Sequence, residues 1–264
     1  MELKINGNKA YAYTGGKAFD AGLPTVLFVH GAQCDHSVWI LQSRYLAHHG
    51  YGVLALDLPG HGRSAGPALA RVEDLADWIT GVLDAAGVSR SAVVGHSMGS
   101  LVALECAARH PARVARIALL ATAYPMKVSA ELLDATRDDE PLAQDMVNIW
   151  SHLAYAQYPS NPGPGFWVIG ENLRLMQRQK PGVMHVDFSA CSAYAGGAAA
   201  AAKVACPALF VIARRDAMTP ARSAQAFAQT VKGARIVSIE GSGHNMMGEK
   251  PDEVLDALAA FLRG

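Results

Sequence analysis

The chain opens on alternating apolar and polar residues, LKINGNKAYAY, interrupted at Asn6-Gly7-Asn8. A period of two places apolar side chains on one face of a strand, and Asn and Gly tolerate positive φ, so this stretch predicts a β-hairpin. Beyond it the pattern changes. TVLFVHG (25–31), GVLALDL (52–58), SAVVGHS (91–97) and RIALLATA (116–123) are short, continuously apolar runs. Such runs predict strands buried on both faces, the condition of a parallel sheet covered by helices on each side. Helical spacing fills the intervals: Val72, Leu75, Ala76, Ile79, Val82 and Leu83 recur at steps of three and four, and Gly87 follows as a stop. After Ser97, MGSLVALECAARHP reads as a further helix ended by Pro111. The same grammar returns late in ALFVIAR (208–214), a helix over 220–231, ARIVSIEG (234–241) and a last helix over 251–262, with Pro220 and Pro251 suited to a first helical turn.

Between Pro125 and Lys203 the strand–helix alternation lapses into helical stretches, the charged cluster Arg137-Asp138-Asp139-Glu140 and the breaker-rich PSNPGPG (159–165). The expected architecture is therefore α/β: a mostly parallel sheet with helices on both faces, formed by residues 1–125 and 204–264, with 126–203 inserted as a helical cap. Within that span GGAAAAAK (196–203) predicts a closely packed helix leading back to the strand at Ala208.

Composition narrows the partners. With 51% hydrophobic residues, 17% charged and a formal net charge of zero, the chain has no basic field to gather nucleic acid or anionic lipid, and a small-molecule partner is expected. The first residues show no apolar run typical of a signal segment, and the longest apolar stretches are strand-length, so neither secretion nor membrane insertion is expected. The four cysteines, Cys34, Cys106, Cys191 and Cys206, form no CxxC pair, which favours reduced thiols and a cytoplasmic location. The ten histidines include no HExxH pattern, and no metal is expected.

Gly95-His96-Ser97-Met98-Gly99 matches GxSxG, follows the apolar strand directly and runs straight into a helix. Small residues at 95 and 99 permit a sharp strand-to-helix turn that holds a serine hydroxyl at the carboxyl end of the sheet, where the helix N-terminus favours developing anions. Gly60-His61-Gly62-Arg63-Ser64-Ala65 imitates a dinucleotide fingerprint, but Gly66-Pro67 prolongs it as a loop instead of opening a helix, so no nucleotide role is expected.

Taken with His30-Gly31 after the third strand, the turn Asp57-Leu58-Pro59-Gly60-His61-Gly62-Arg63-Ser64 after the fourth, and a late acid and histidine, the sequence resembles the α/β-hydrolase superfamily over nearly its whole length. In that fold the order is serine, acid, histidine. Asp216 follows the apolar strand in ALFVIARRD, whereas Glu131, Asp138, Asp139, Glu140 and Asp145 fall in the cap and Glu105 in the helix after Ser97. The alternative acid position after the preceding strand reads Ala121-Thr122-Ala123 and has no carboxylate. His244, in Gly241-Ser242-Gly243-His244-Asn245 after the last strand, completes the expected triad; His152 and His185 lack a strand-end position. The resemblance also implies an oxyanion hole from the backbone N–H groups of Ala32 and Met98, and leaves His30 and His96 to shape loops.

The resemblance implies a cofactor-free hydrolase: His244 takes the proton of Ser97, an acyl-enzyme forms, and water releases the acid. Carboxylic esters are the leading substrates. The same triad serves carbon–carbon bond hydrolases of aromatic ring-cleavage products, although this chain has Gly31-Ala32-Gln33-Cys34 and His96-Ser97 where those relatives show a glycine- and proline-rich stretch and Asn. Perhydrolases and small-ligand receptors share the fold as well. Trp150, Trp167 and Met246 are the candidate pocket residues, with Met146, Tyr155, Tyr158, Phe166, Met176, Met184, Phe188, Tyr194 and Met247 as further apolar candidates. The scarcity of basic residues near the motifs points to a small to medium, mostly uncharged ester. Nothing in the sequence indicates the oligomeric state.

Overall fold

The computed structural model describes residues 1–157 and 167–264; the breaker-rich run 159–165 lies outside the described residues. Eight strands form one sheet: β1 (Glu2–Ile5), β2 (Asn8–Tyr13), β3 (Thr25–Val29), β4 (Gly52–Asp57), β5 (Ser91–His96), β6 (Val114–Leu120), β7 (Ala208–Ala213) and β8 (Arg235–Ile239). Their spatial order is β1-β2-β4-β3-β5-β6-β7-β8. The hairpin β1–β2 joins antiparallel, through β2 on β4, and every other pairing is parallel.

The continuous apolar runs are explained by two cores rather than one. In β3, Leu27 and Val29 face one helix layer while Val26 and Phe28 face the other, and β4, β5 and β7 divide their side chains in the same way. The first layer includes α2 (Val72–Ala85), α3 (Met98–Arg109) and α9 (Ala221–Ala228); the second is built on α1 (Ile40–Ala47), α10 (Met246–Glu249), α11 (Pro251–Arg263) and the buried Trp39. Each fully buried Leu, Val or Phe contributes about 1.5–3 kcal/mol relative to exposure, so both faces of each central strand must be apolar. β8 is the exception: it is an edge strand, and only Ile239 in it is buried.

Between β6 and β7 lie α4 (Ala130–Asp138), α5 (Glu140–Ser151), α6 (Val168–Gln177), α7 (Val183–Ala193) and α8 (Gly197–Lys203). Leu132, Ala143, Val147, Met176, Met184 and Phe188 from the first four of these helices make a third apolar cluster, reaching Ala32 and Met218 of the sheet loops. The last helix behaves differently from the cap expected over 126–203. Ala200 and Ala201 place α8 in the helix layer beside α3, because methyl-sized side chains permit a close helix–helix approach.

Polar contacts join these helices to the sheet loops. Asp187 of α7 accepts the Gln33 N–H at 2.8 Å, and its Oδ2 lies 2.8 Å from His61 Nε2; Gln179 accepts from the Gly62 N–H at 2.9 Å. His61 Nδ1 lies 3.0 Å from the Pro59 carbonyl. Both ring nitrogens thus face acceptors, an arrangement that favours the doubly protonated ring. Burial opposes that charge, yet the Asp187 carboxylate outweighs it and raises the His61 pKa above its ordinary 6.5. The Gly60–Ala65 turn that imitates a nucleotide loop is therefore part of this seam. A raised histidine pKa contributes stability that is complete below the unfolded value and is lost as pH rises through the folded one. Asp187→Asn should accordingly lower the urea midpoint clearly in mildly acidic buffer and progressively less as the pH is raised through the alkaline range. Equal destabilisation at every pH would contradict a buried ion pair.

Candidate active site

At the carboxyl end of β5 the chain must reverse into α3 within one residue. That residue, Ser97, has φ 52° and ψ −119°, a conformation that costs a non-glycine residue about 1–3 kcal/mol. The neighbours hold it there. A Cβ on Gly95 would stand 2.0 Å from the Gly99 carbonyl oxygen, and one on Gly99 would stand 2.4 Å from the Val29 oxygen and 2.5 Å from that of His30. Hydrogen alone fits at both positions. Gly31 is also close-packed, since a Cβ there would lie 3.0 Å from His96 Nδ1 and 3.3 Å from Ser97 Cβ. The Ser97 N–H donates to the Leu120 carbonyl at 3.0 Å, and its side chain remains half-buried at the cavity wall.

Asp216 leaves the end of β7 and His244 follows β8. His244 Nδ1 is 2.8 Å from Asp216 Oδ2. The other carboxylate oxygen accepts the N–H groups of Met218 and Thr219, each at 2.8 Å, and the Thr219 hydroxyl donates to Oδ2 at 2.6 Å. Burial pushes the Asp216 pKa upward, but the imidazole and the Thr219 bonds outweigh it and hold the carboxyl below its ordinary range. It stays ionised at neutral pH and fixes the Nδ1–H tautomer of His244, leaving Nε2 with its lone pair. His96 secures the same loop from behind: its Nε2 lies 2.9 Å from the His244 carbonyl oxygen, and burial lowers its pKa to about 3, so the ring is a neutral donor. His30 is likewise neutral, pushed by burial to about 4, and its Nε2 accepts the Leu58 N–H at 3.1 Å.

Ser97 and His244 share the wall of one cavity, with Asp216 behind the imidazole. An imidazole oriented by a buried carboxylate beside a serine hydroxyl is what general-base activation of an alcohol requires. Met98 is the first residue of α3, so its amide has no intrahelical acceptor. Ala32, after Gly31, lines the same cavity as Ser97. Thr219 escaped the sequence reading, although a threonine three residues after a loop aspartate is a recognisable turn pattern. Glu249 escaped it too, with no local signal: its Oε2 accepts the Gly243 N–H across a fold of the chain.

The cavity has a volume of about 380 Å³ and is lined by apolar side chains including Leu132, Trp150, Phe188 and Met218, with Lys127 as a charged member. A gap of about 30 Å³, bounded by Ser97, His244, Asn172 and Met247, lies between it and a further cavity of about 300 Å³ lined by Ile40, Leu41, Leu175 and Pro251. Of the three pocket candidates named from sequence, Trp150 lines the larger of these cavities, and the other two lie elsewhere. Met246 is wholly buried in the core with Trp39 and Phe28, and its neighbour Met247 faces the gap, because successive residues of a short helix point in different directions. Trp167 is 60% exposed and lies over Gly170 at the start of α6, outside both cavities. Tyr194 packs in the sheet core instead. Tyr158 and Phe166 lie outside the described residues.

Among the described residues, Asp35, His36 and Asp57 bring three potential metal-ligand atoms within 4.8 Å of one another. Those atoms already have partners. Asp35 accepts from Arg178 at 2.7 Å, and Asp57 accepts from the N–H groups of His36 at 2.9 Å and Arg63 at 2.8 Å. The cluster is accounted for as an ionic network tying α6 to the loops after β3 and β4.

A model of the alpha/beta hydrolase family matches residues 26–257. Among curated proteins, the (E)-2-((N-methylformamido)methylene)succinate hydrolase of Acinetobacter baylyi is 27% identical over 268 residues, covering 98% of this chain and 97% of that protein. The dihydrolipoyllysine-residue acetyltransferase component of the acetoin cleaving system of Cupriavidus necator is 42% identical over 112 residues, 42% of this chain; the match spans 28% of that protein's length. Among solved structures, the enol-lactonase from Burkholderia xenovorans superposes with a TM-score of 0.87 at 22% identity, with both chains covered completely.

The elbow geometry is itself testable. Gly99→Ala forces a methyl group against two carbonyl oxygens and should cost about 1–3 kcal/mol, the usual range for overpacking, in denaturant unfolding. Wild-type stability in this variant would show that the turn is looser than described.

Proposed function

Since the chain belongs to the alpha/beta hydrolase family, we propose that it is a serine hydrolase that cleaves small to medium, largely apolar carboxylic esters, with Ser97, His244 and Asp216 as its triad. The observation that carries this reading is the 2.8 Å contact of His244 with Asp216 beside a strained serine, with Ser97 and His244 opening on apolar space. Ser97 Oγ attacks the ester carbonyl carbon as its proton passes to His244 Nε2. The carbonyl oxygen, now negative, is met by the Met98 and Ala32 amides. Collapse of the tetrahedral intermediate expels the alcohol, which takes the proton from His244, and water then repeats the sequence on the acyl-enzyme.

Apolar cavities on both sides of the 30 Å³ gap suit a substrate with a hydrocarbon group on each side of the scissile bond. A second reading, in which the same triad acts on an acid-bearing substrate other than a simple ester, is favoured by Lys127 in the cavity wall and by a full-length relative named for a succinate derivative. One panel separates the two: p-nitrophenyl esters from acetate to palmitate beside dicarboxylate-bearing enamides and vinylogous diketones.

A fluorophosphonate should label Ser97, and Ser97→Ala should abolish labelling and turnover together; labelling elsewhere with Ser97→Ala still active would overturn the assignment. Asp216→Asn should fold yet lose about 10⁴ in kcat, the scale seen when tautomer control fails in a Ser-His-Asp triad. Each methylene accommodated should add about 1–3 kcal/mol of transition-state binding until the cavity is full, so kcat/KM should peak at intermediate acyl length. A maximum at palmitate would refute a small, closed pocket.

A further inference from the structure

The loop that carries His244 is fastened to the helices above it by a carboxylate that takes no part in the triad. Glu249, in α10, is 1% exposed. Its Oε2 accepts the Gly243 N–H at 2.6 Å, immediately before His244, and the Ser242 hydroxyl at 3.4 Å. Its Oε1 accepts the Leu153 N–H at 2.8 Å, just beyond the end of α5. Two further bonds cross the same seam: the Asn245 N–H donates to the Ser151 carbonyl at 2.9 Å, and Asn245 Nδ2 lies 2.9 Å from His152 Nε2. His152 Nδ1 is spent on the Asn148 carbonyl at 2.8 Å, so its Nε2 is the acceptor of that amide.

Gly243 shows how close the approach is. A Cβ there would lie 2.8 Å from the Ser151 oxygen and 3.2 Å from Glu249 Oε2, so the loop is clasped between α5 and the carboxylate with space for hydrogen alone. The same turns of α5 line the cavities: Trp150 lines the larger one, and Val147 and Ser151 line the gap at Ser97. A chain of hydrogen bonds therefore runs from the end of this wall, through Leu153 and Glu249, to the backbone beside His244.

We propose that Glu249 is a positioning residue that fixes the His244 imidazole against Ser97 by tying the histidine loop to the end of α5. A carboxylate suits this task because each oxygen can accept from a different backbone N–H. A carboxamide offers one such oxygen and turns its own N–H₂ toward the second donor, so glutamine has nearly the same volume without the same function. The inference rests on the reading of His244 as the general base.

Proton NMR of the whole protein reads the His244 Nδ1 hydrogen bonded to Asp216 far downfield of the amides, without substrate; ester turnover and fluorophosphonate labelling of Ser97 read the chemistry. In Glu249→Gln, kcat should fall about 100-fold, the scale expected when a reacting group is displaced by about 1 Å. KM should change by no more than about threefold, as for an interaction made in the transition state. Labelling should slow in parallel and the downfield resonance should move or broaden. Where Glu249→Gln does not fold, Gly243→Ala keeps the carboxylate, wedges the same seam, and should give the same pattern. Wild-type kcat, or a loss of kcat with an unchanged resonance, would overturn the proposal. A wild-type protein that neither labels at Ser97 nor turns over esters would refute the hydrolase reading instead, while the resonance in Glu249→Gln would still decide the role of Glu249.

Discussion

The reversal of the chain between β5 and α3 sets the terms for the rest of the molecule. Ser97 occupies a strained conformation because Gly95 lies against the Gly99 carbonyl and Gly99 lies against the carbonyls of Val29 and His30. That contact draws together the ends of β3 and β5, brings Gly31 against Ser97, and leaves Ala32 and Met98 beside the serine. Two buried apolar cores on opposite sides of the sheet supply the rigidity that maintains the strain. Relaxing any glycine of the elbow would displace the serine and its neighbouring amides together.

The imidazole depends on a different kind of order. His244 lies on a loop beyond an edge strand that is itself mostly exposed, so apolar packing cannot fix it. Hydrogen bonds do so from several directions: Asp216 on the ring, His96 on the carbonyl, and Glu249 with the end of α5 on the flanking backbone. Every one of these partners is buried, where an unmade bond costs about 1–3 kcal/mol. Large strand-side burial thus positions Ser97, and a polar network positions His244. The segment between β6 and β7 joins that network through Leu153 and Ser151, and it separately holds the loops after β3 and β4 through Asp187, Gln179 and Arg178. The wall of the cavity and the loop that carries His244 are consequently joined.

Much of this was legible along the chain because it follows from local pattern. Continuous apolar runs mark strands buried on both faces, three- and four-residue spacing marks the helices, and GxSxG directly after a strand marks the elbow, since these depend on the chemistry of neighbouring residues. Asp216 follows an apolar strand and His244 the last strand, but only the resemblance, with its order of serine, acid and histidine, singled them out. The mostly parallel sheet with helices on both faces was therefore determined by the sequence itself. What the tertiary structure decided are the contacts between distant residues. Met247 and not Met246 faces the gap because of how α10 is rotated on the core, and Trp167 lies over Gly170, outside both cavities. α8 joins the sheet's helix layer, His61 becomes an ion-pair partner of Asp187, and Glu249 reaches from its helix to Gly243 and Leu153. Those outcomes depend on packing angles and on the pairing of buried donors with acceptors, which are set only when the whole chain has closed.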